Sequence, residues 1–157
     1  PPGPLVLSQR HANDAPCAIS RLIEMGIEPF LVGSALDCVL AQRLARRLCP
    51  KCKEAYVPTP EALIQARYPW QDGVELPTLF RPKGCSACSK TGYKGRLALH
   101  EVMAVTEQVE RLAVERASAE AIGAVARQQG MVVLRDDGLA KVTAGITSLA
   151  EIFRVVV

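Results

Sequence analysis

The stretch EPFLVGSALDCVLAQRLARRLCPKC, residues 28–52, decides how the fold is read, because it joins an apolar periodic run to the first of two cysteine pairs. Glu28-Pro29 can open a helix. Val32, Leu36, Val39, Leu40, Leu44 and Leu48 then hold a stripe with steps of three and four, so the spacing predicts one long helix over 28–48. Arg43, Arg46 and Arg47 fall in its last turn, where cations complement the helix dipole. Cys38 lies inside this run and Cys17 inside the helical pattern before it, and both read as small buried hydrophobes.

Working upstream, Leu5 to Ser8 reads as a strand with His11 at its exit. In α/β folds that is a position where chemistry is often placed. Asn13-Asp14-Ala15-Pro16 offers an N-cap with proline just inside a helix, and Ile19, Leu22 and Ile23 follow on one face until Gly26. The chain begins Pro1-Pro2-Gly3-Pro4 and runs straight into this strand, a start that reads as a cut through a larger protein. No signal-peptide pattern is visible, and the longest apolar runs, such as 131–134, fall far short of a membrane span.

Downstream, residues 96–102 alternate as a strand, with His100 as a structural strand residue. Thr106 and Ser118 look like N-caps for helices near 107–116 and 119–129, the second stopped by Gly130. A further helix near 132–143 ends at Gly145, and Ser148 to Glu151 has capping-box spacing.

Between these helical parts the composition changes. The chain has 157 residues and a net charge of +3, yet residues 43–96 alone carry +7, while the segments on either side carry −2 each. The same stretch holds six of the eleven prolines and five of the seven aromatic residues, which favours a loop-rich insertion with a small cluster of its own. A chain of this length buries about two-thirds of its unfolded surface, so a core needs no disulfide framework.

Cys49-Pro50-Lys51-Cys52 and Cys85-Ser86-Ala87-Cys88 sit at the two ends of that insertion. Two C-x-x-C turns supply the four thiolates that Zn²⁺ takes in a closed structural site, and a long intervening loop costs little more entropy than a short one. A helix near 60–67 can fill that loop. Two disulfides are the alternative, with strain inside each short pair. A redox motif would normally open a helix after a strand, whereas Cys49 is expected to follow a helix. Arg46, Arg47, Lys51, Lys53, Lys83, Lys90 and Lys94 can offset the −2 of a tetrathiolate zinc site and donate to its sulfurs. One bound zinc lowers the insertion from +7 to +5. The rival role for this basic surface is a zinc-ribbon module that binds nucleic acid, which the small size of the excess disfavours.

No G-x-x-x-x-G-K-[ST], G-x-G-x-x-G or G-x-S-x-G is present, so this chain carries no phosphate cradle of a known kind. A co-chaperone-type C-x-x-C-x-G-x-G unit is broken by Ser89 and Lys90 and occurs at most once.

Taken together, several stretches resemble the secretion ATPases of type II secretion and type IV pilus assembly. They are Leu5 to Ser8 with His11 to Ala15, Ala18 to Phe30, Leu40 to Cys52, Gly84-Cys85 with Cys88, Thr91 to Arg96, and Gly130-Met131, Asp136 to Val142 and Gly145 to Leu149. The resemblance covers nearly everything outside 54–80. It implies a helix-rich α/β fold: the closing part of a RecA-like, P-loop NTPase lobe over 1–48, a tetracysteine zinc insertion over 49–96, and a C-terminal helical bundle over 97–157.

It further implies the C-terminal portion of a hexameric motor that uses ATP and Mg²⁺, is cytoplasmic and peripheral to the bacterial inner membrane, and works with inner-membrane platform proteins. No nucleic-acid partner is expected. His11 corresponds to the family's γ-phosphate-sensing histidine, and Cys49, Cys52, Cys85 and Cys88 to its zinc ligands. Departures are the Gly3-Pro4 step, where the family has Gly-His, and Gln9 and Ala12, where it has hydroxyl residues. These fit a catalytically degenerate paralogue as an alternative.

Overall fold

The computed structural model describes residues 4–156. Gly3, half of the divergent Gly3-Pro4 step, lies outside them. Helices and strands are mixed. In chain order they are α1 (Ala15–Glu24), α2 (Pro29–Ala35), β1 (Cys38–Leu48), β2 (Glu54–Tyr56), α3 (Pro60–Gln65), β3 (Leu79–Arg81), β4 (Tyr93–Ala104), α4 (Glu107–Val114), α5 (Ala119–Gln128), α6 (Leu134–Thr143) and α7 (Leu149–Val155). Strand β1 pairs with β4 in one two-stranded sheet. Strand β2 pairs antiparallel with β3 in another, with Glu54 opposite Arg81 and Tyr56 opposite Leu79.

The expected long helix over 28–48 is corrected. It stops at Ala35, Leu36 turns extended, and the remainder is the eleven-residue strand β1. The steps of three and four among its leucines and valines were compatible with either state at the few positions that matter. In the structure Val39, Ala41, Arg43 and Ala45 point to the more buried side, and Leu40 and Leu44 to the exposed one. Gln42 to Leu48 is rich in good helix formers, but pairing with β4, together with bonds from Arg46 and Leu48 to residues 146–151, engages its backbone and overrides that local preference. Cys49 therefore follows a strand, Arg43, Arg46 and Arg47 lie in no last helical turn, and Cys38 is exposed rather than a core residue.

A second correction concerns Leu5 to Ser8, which forms no strand: Leu5, Val6 and Leu7 are 82%, 75% and 89% exposed.

The helices with cap signals form where those signals stand. Asp14 accepts from the Cys17 N–H at 2.9 Å, Thr106 from Val109, Ser118 from Ala121 and Ser148 from Glu151. Each satisfies a backbone donor that the first helical turn would leave unpaired.

The chain divides into two contact units, each discontinuous in sequence. One comprises residues 1–41 and 101–131, the other 42–100 and 132–157. In the first, α1, α2, α4 and α5 surround Ala15, Ile19, Val32, Met103, Val109, Ala113, Ile122 and Ala126. Buried Glu101 accepts the Ala15 N–H at 2.8 Å, so a carboxylate from β4 meets the positive end of α1. In the second unit, Ala45, Leu48, Leu63, Leu79, Leu99, Leu139, Val142, Leu149 and Ile152 are buried.

Candidate metal centre

Two backbone turns bring the cysteines together. At the end of β1 the Cys49 carbonyl accepts from the N–H groups of Cys52 (3.2 Å) and Lys53 (3.0 Å), folding the first C-x-x-C back on itself. In the second turn the Cys85 carbonyl accepts from Cys88 (3.2 Å) and Lys90 (2.8 Å), and Thr91 Oγ1 donates to the Cys88 carbonyl at 2.7 Å. The Cys49 N–H donates to the Gly92 carbonyl at 2.9 Å and ties one turn to the other.

Glycine is required on both sides of the second turn. Gly92 has φ +78°, and a Cβ there would lie 2.4 Å from Pro82 Cβ. Gly84 has φ +101°, and its Cβ would lie 2.5 Å from the Lys90 carbonyl oxygen. Ser89 and Lys90 also adopt left-handed backbone, at φ +51° and +62°, a conformation side-chain-bearing residues enter at a cost.

All four sulfurs lie within 4.8 Å of one another. Cys49 to Cys85 is 3.9 Å, and Cys52 to Cys88 and Cys85 to Cys88 are both 3.8 Å. A tetrahedron of thiolates about 2.3 Å from a central zinc has edges of about 3.8 Å, so the donor set fits that ion in size as well as in kind. The same separations are far beyond a disulfide bond of about 2.05 Å, and all six cysteines are free thiols. The four can hold a metal ion.

Charge compensation comes from the backbone, which the sequence reading did not foresee. Cys88 Sγ accepts from the N–H groups of Cys85 and Gly92, both at 3.2 Å, and Cys52 Sγ from Gly84 at 3.3 Å. The signal for this was in the glycines: Gly84 and Gly92 bracket the second pair. Among the described residues, no lysine or arginine nitrogen is seen donating to these sulfurs, and several of the nominated cations are engaged elsewhere. Arg46 binds Glu151, Lys53 donates to the Gly145 carbonyl at 2.8 Å, and Lys83 lies 3.8 Å from Glu54.

The Cys85 N–H above all, against partial desolvation and with help from Gly92, brings the Cys88 thiol down to about 6. Burial pushes Cys52 up to about 11, and the neighbouring thiols add to the rise. A divalent cation bound by the four sulfurs would displace their protons.

His11 is not part of this constellation. It is exposed, three residues before the Asp14 cap, and belongs to the other contact unit. His100 lies exposed in β4, and its N–H donates to Asp137 Oδ2 at 2.8 Å. Cys17 is half-buried in α1 and pushed up to about 11 by its hydrogen bond to Asp14, with burial adding, which makes it a poor nucleophile and ligand.

The fold and site define a mixed helix–strand protein with a four-thiol centre clamped between two short turns. The family model for type II/IV secretion system proteins matches residues 2–154. The chain belongs to that family.

Among curated relatives, the type IV pilus assembly ATPase PilB of Myxococcus xanthus is 46% identical over 151 residues, covering 96% of this chain and 26% of the relative. The protein of the same name from Thermus thermophilus is 44% identical over 150 residues, covering 96% and 17%. The type II secretion system ATPase E of Vibrio cholerae is 44% identical over 154 residues, covering 98% and 30%. The chain therefore spans less than a third of the length of these relatives. Among the described residues, no helix is long and apolar enough to cross a membrane.

Proposed function

We propose that this chain is the C-terminal part of a hexameric motor that couples ATP hydrolysis to pilus or pseudopilus assembly and protein secretion. The observation that carries this reading is 44–46% identity, over nearly the whole chain, to proteins named as pilus-assembly and secretion ATPases. In it, residues 1–48 close a RecA-like lobe, 49–96 form the metal-bearing insertion and 97–157 the helical end. The motor works with Mg²⁺ and ATP at the cytoplasmic face of a bacterial inner membrane, against platform proteins of that membrane.

Within the chain, Cys49, Cys52, Cys85 and Cys88 hold one structural zinc. The sulfur separations of 3.8–3.9 Å and the backbone donors on Cys52 and Cys88 support that assignment. His11, exposed and unencumbered by the metal site, senses the γ-phosphate of a nucleotide whose cradle is not among these 157 residues.

The test uses the intact protein. About one zinc per chain by elemental analysis is expected from a closed four-thiolate site. ATP turnover should be present in the native protein and lost or strongly reduced in His11→Ala. Turnover unchanged by that substitution removes the role of His11, and a native protein without turnover favours the degenerate-paralogue reading suggested by Gln9 and Ala12.

A further inference from the structure

We infer that metal loading of the tetracysteine centre docks the C-terminal helix α7, so that the position of α7 reports whether the centre is filled. This rests on the reading of the four thiols as a metal site and adds to it what the metal controls.

The residues that flank the ligands hold the turn before α7. Leu48, next to Cys49, donates its N–H to the Ile146 carbonyl at 2.8 Å. Lys53, next to Cys52, donates Nζ to the Gly145 carbonyl at 2.8 Å while lying 4.4 Å from the centroid of the Phe80 ring. Tyr93, next to Gly92, shares a 2.7 Å hydrogen bond between its hydroxyl and Ser148 Oγ, the cap of α7. Thr147 Oγ1 donates to the Arg46 carbonyl at 2.8 Å.

Arg46 completes the link. Its N–H donates to Glu151 Oε1 at 2.8 Å, and its guanidinium forks onto Glu151 Oε2 from Nε (3.0 Å) and Nη2 (2.8 Å). The same guanidinium lies 4.1 Å over the Tyr93 ring. Glu151 has no exposed side-chain surface, and Arg154 on the following turn is its other partner.

Helix α7 has only seven residues, too few to persist without tertiary partners. Its one buried carboxylate needs Arg46, and Arg46 is aligned by the strand end and by Tyr93. The second cysteine turn is itself held in left-handed backbone at Ser89 and Lys90, which a bound metal would enforce. Release of the metal leaves that turn held by its own hydrogen bonds alone against the left-handed backbone of Ser89 and Lys90, so Gly92, Tyr93 and the end of β1 loosen and the docked arrangement loses part of its anchor.

Hydrogen exchange on the intact protein tests this, with zinc loaded and after removal by a chelator, metal content being followed in parallel. Segment 145–156 is expected to exchange on the order of tenfold faster once zinc is removed, a factor matching the loss of one charge-assisted hydrogen bond. Helix α1 in the other contact unit should keep its rate. Arg46→Lys, which retains the charge but neither forks onto Glu151 nor stacks on Tyr93, should bind zinc at unchanged stoichiometry yet leave 145–156 fast-exchanging in its presence. Tyr93→Phe should behave likewise to a smaller extent.

Unchanged exchange in 145–156 on zinc removal overturns the inference. So does equal acceleration in α1, which would mean global unfolding, and so does full zinc-dependent protection in Arg46→Lys. A protein that never retains zinc overturns the metal reading itself, which the metal analysis distinguishes from a failure of coupling.

Discussion

The turns that carry the four thiols and the segment that carries His11 are built in opposite ways. Each cysteine turn is fixed several times over, by carbonyl–amide bonds within it, by N–H donors on its sulfurs and by glycines where no other residue fits. Residues 4–12 have no helix or strand, and Leu5 to His11 are exposed throughout. A four-thiol cluster made from two local turns is complete once those turns close and meet. The phosphate-sensing role proposed for His11 has meaning only beside a phosphate cradle, and no known cradle motif lies in this sequence.

The contrast can be broken by mutation. Cys88→Ser removes the most heavily bonded sulfur and one of the four candidate metal ligands. It should destabilise the unit containing 42–100 and 132–157 by several kcal/mol, since structural-metal binding free energy is of order 10 kcal/mol. Calorimetry in the presence of zinc checks this, and a melting curve equal to wild type would show that the cluster is not structural.

Gly92→Ala asks whether backbone alone holds the site. With φ at +78° and Pro82 Cβ 2.4 Å from the new methyl group, a loss of about 2–3 kcal/mol in denaturant unfolding is expected. Weaker zinc retention should accompany it, because the Gly92 N–H is a donor to Cys88.

Acid should act through Glu151. Burial opposes its charge, but the hydrogen bonds from Arg154 and Arg46 prevail and hold the carboxyl down from 4.5 to about 2. Its contribution is therefore fully present above about pH 4.5 and is lost as pH falls from 4.5 toward 2. Thermal melts across that window should show a steeper loss in wild type than in Glu151→Gln, which cannot release that charge.

The smallest structural effect belongs to His11→Ala. An exposed side chain outside regular structure should change stability by no more than about 0.5 kcal/mol. If thermal melting instead shifts by as much as in Gly92→Ala, the segment is structural and the contrast with the cysteine turns collapses.

Much of this was legible in the residues. Asp14, Thr106, Ser118 and Ser148 each start a helix, because a cap works through its own oxygen and a backbone N–H three residues on. The four clustered thiols were legible from spacing because a C-x-x-C turn is a local object. Ser148 shows the limit: it caps α7, while the Glu151 carboxylate is held by Arg46 and Arg154. The function of Arg46 was misread as a dipole partner or a donor to sulfur, since its acceptor lies 105 residues away.

The sequence by itself determined the helix starts, the glycine-bracketed cysteine turns and the identity of the thiol donors, all interactions spanning a few residues. Only the tertiary structure decided that residues 38–48 are a strand. Their helix-forming composition is opposed by the ladder with β4, which comes much later in the chain, and by bonds from Arg46 and Leu48 to residues 146–151. It likewise decided that Arg46 and Lys53 serve α7 and the turn before it, while the sulfurs of Cys52 and Cys88 draw on backbone N–H groups. Side-chain charge shows in the sequence at once, whereas the direction of a backbone N–H is set by a dihedral angle that exists only when the chain has folded.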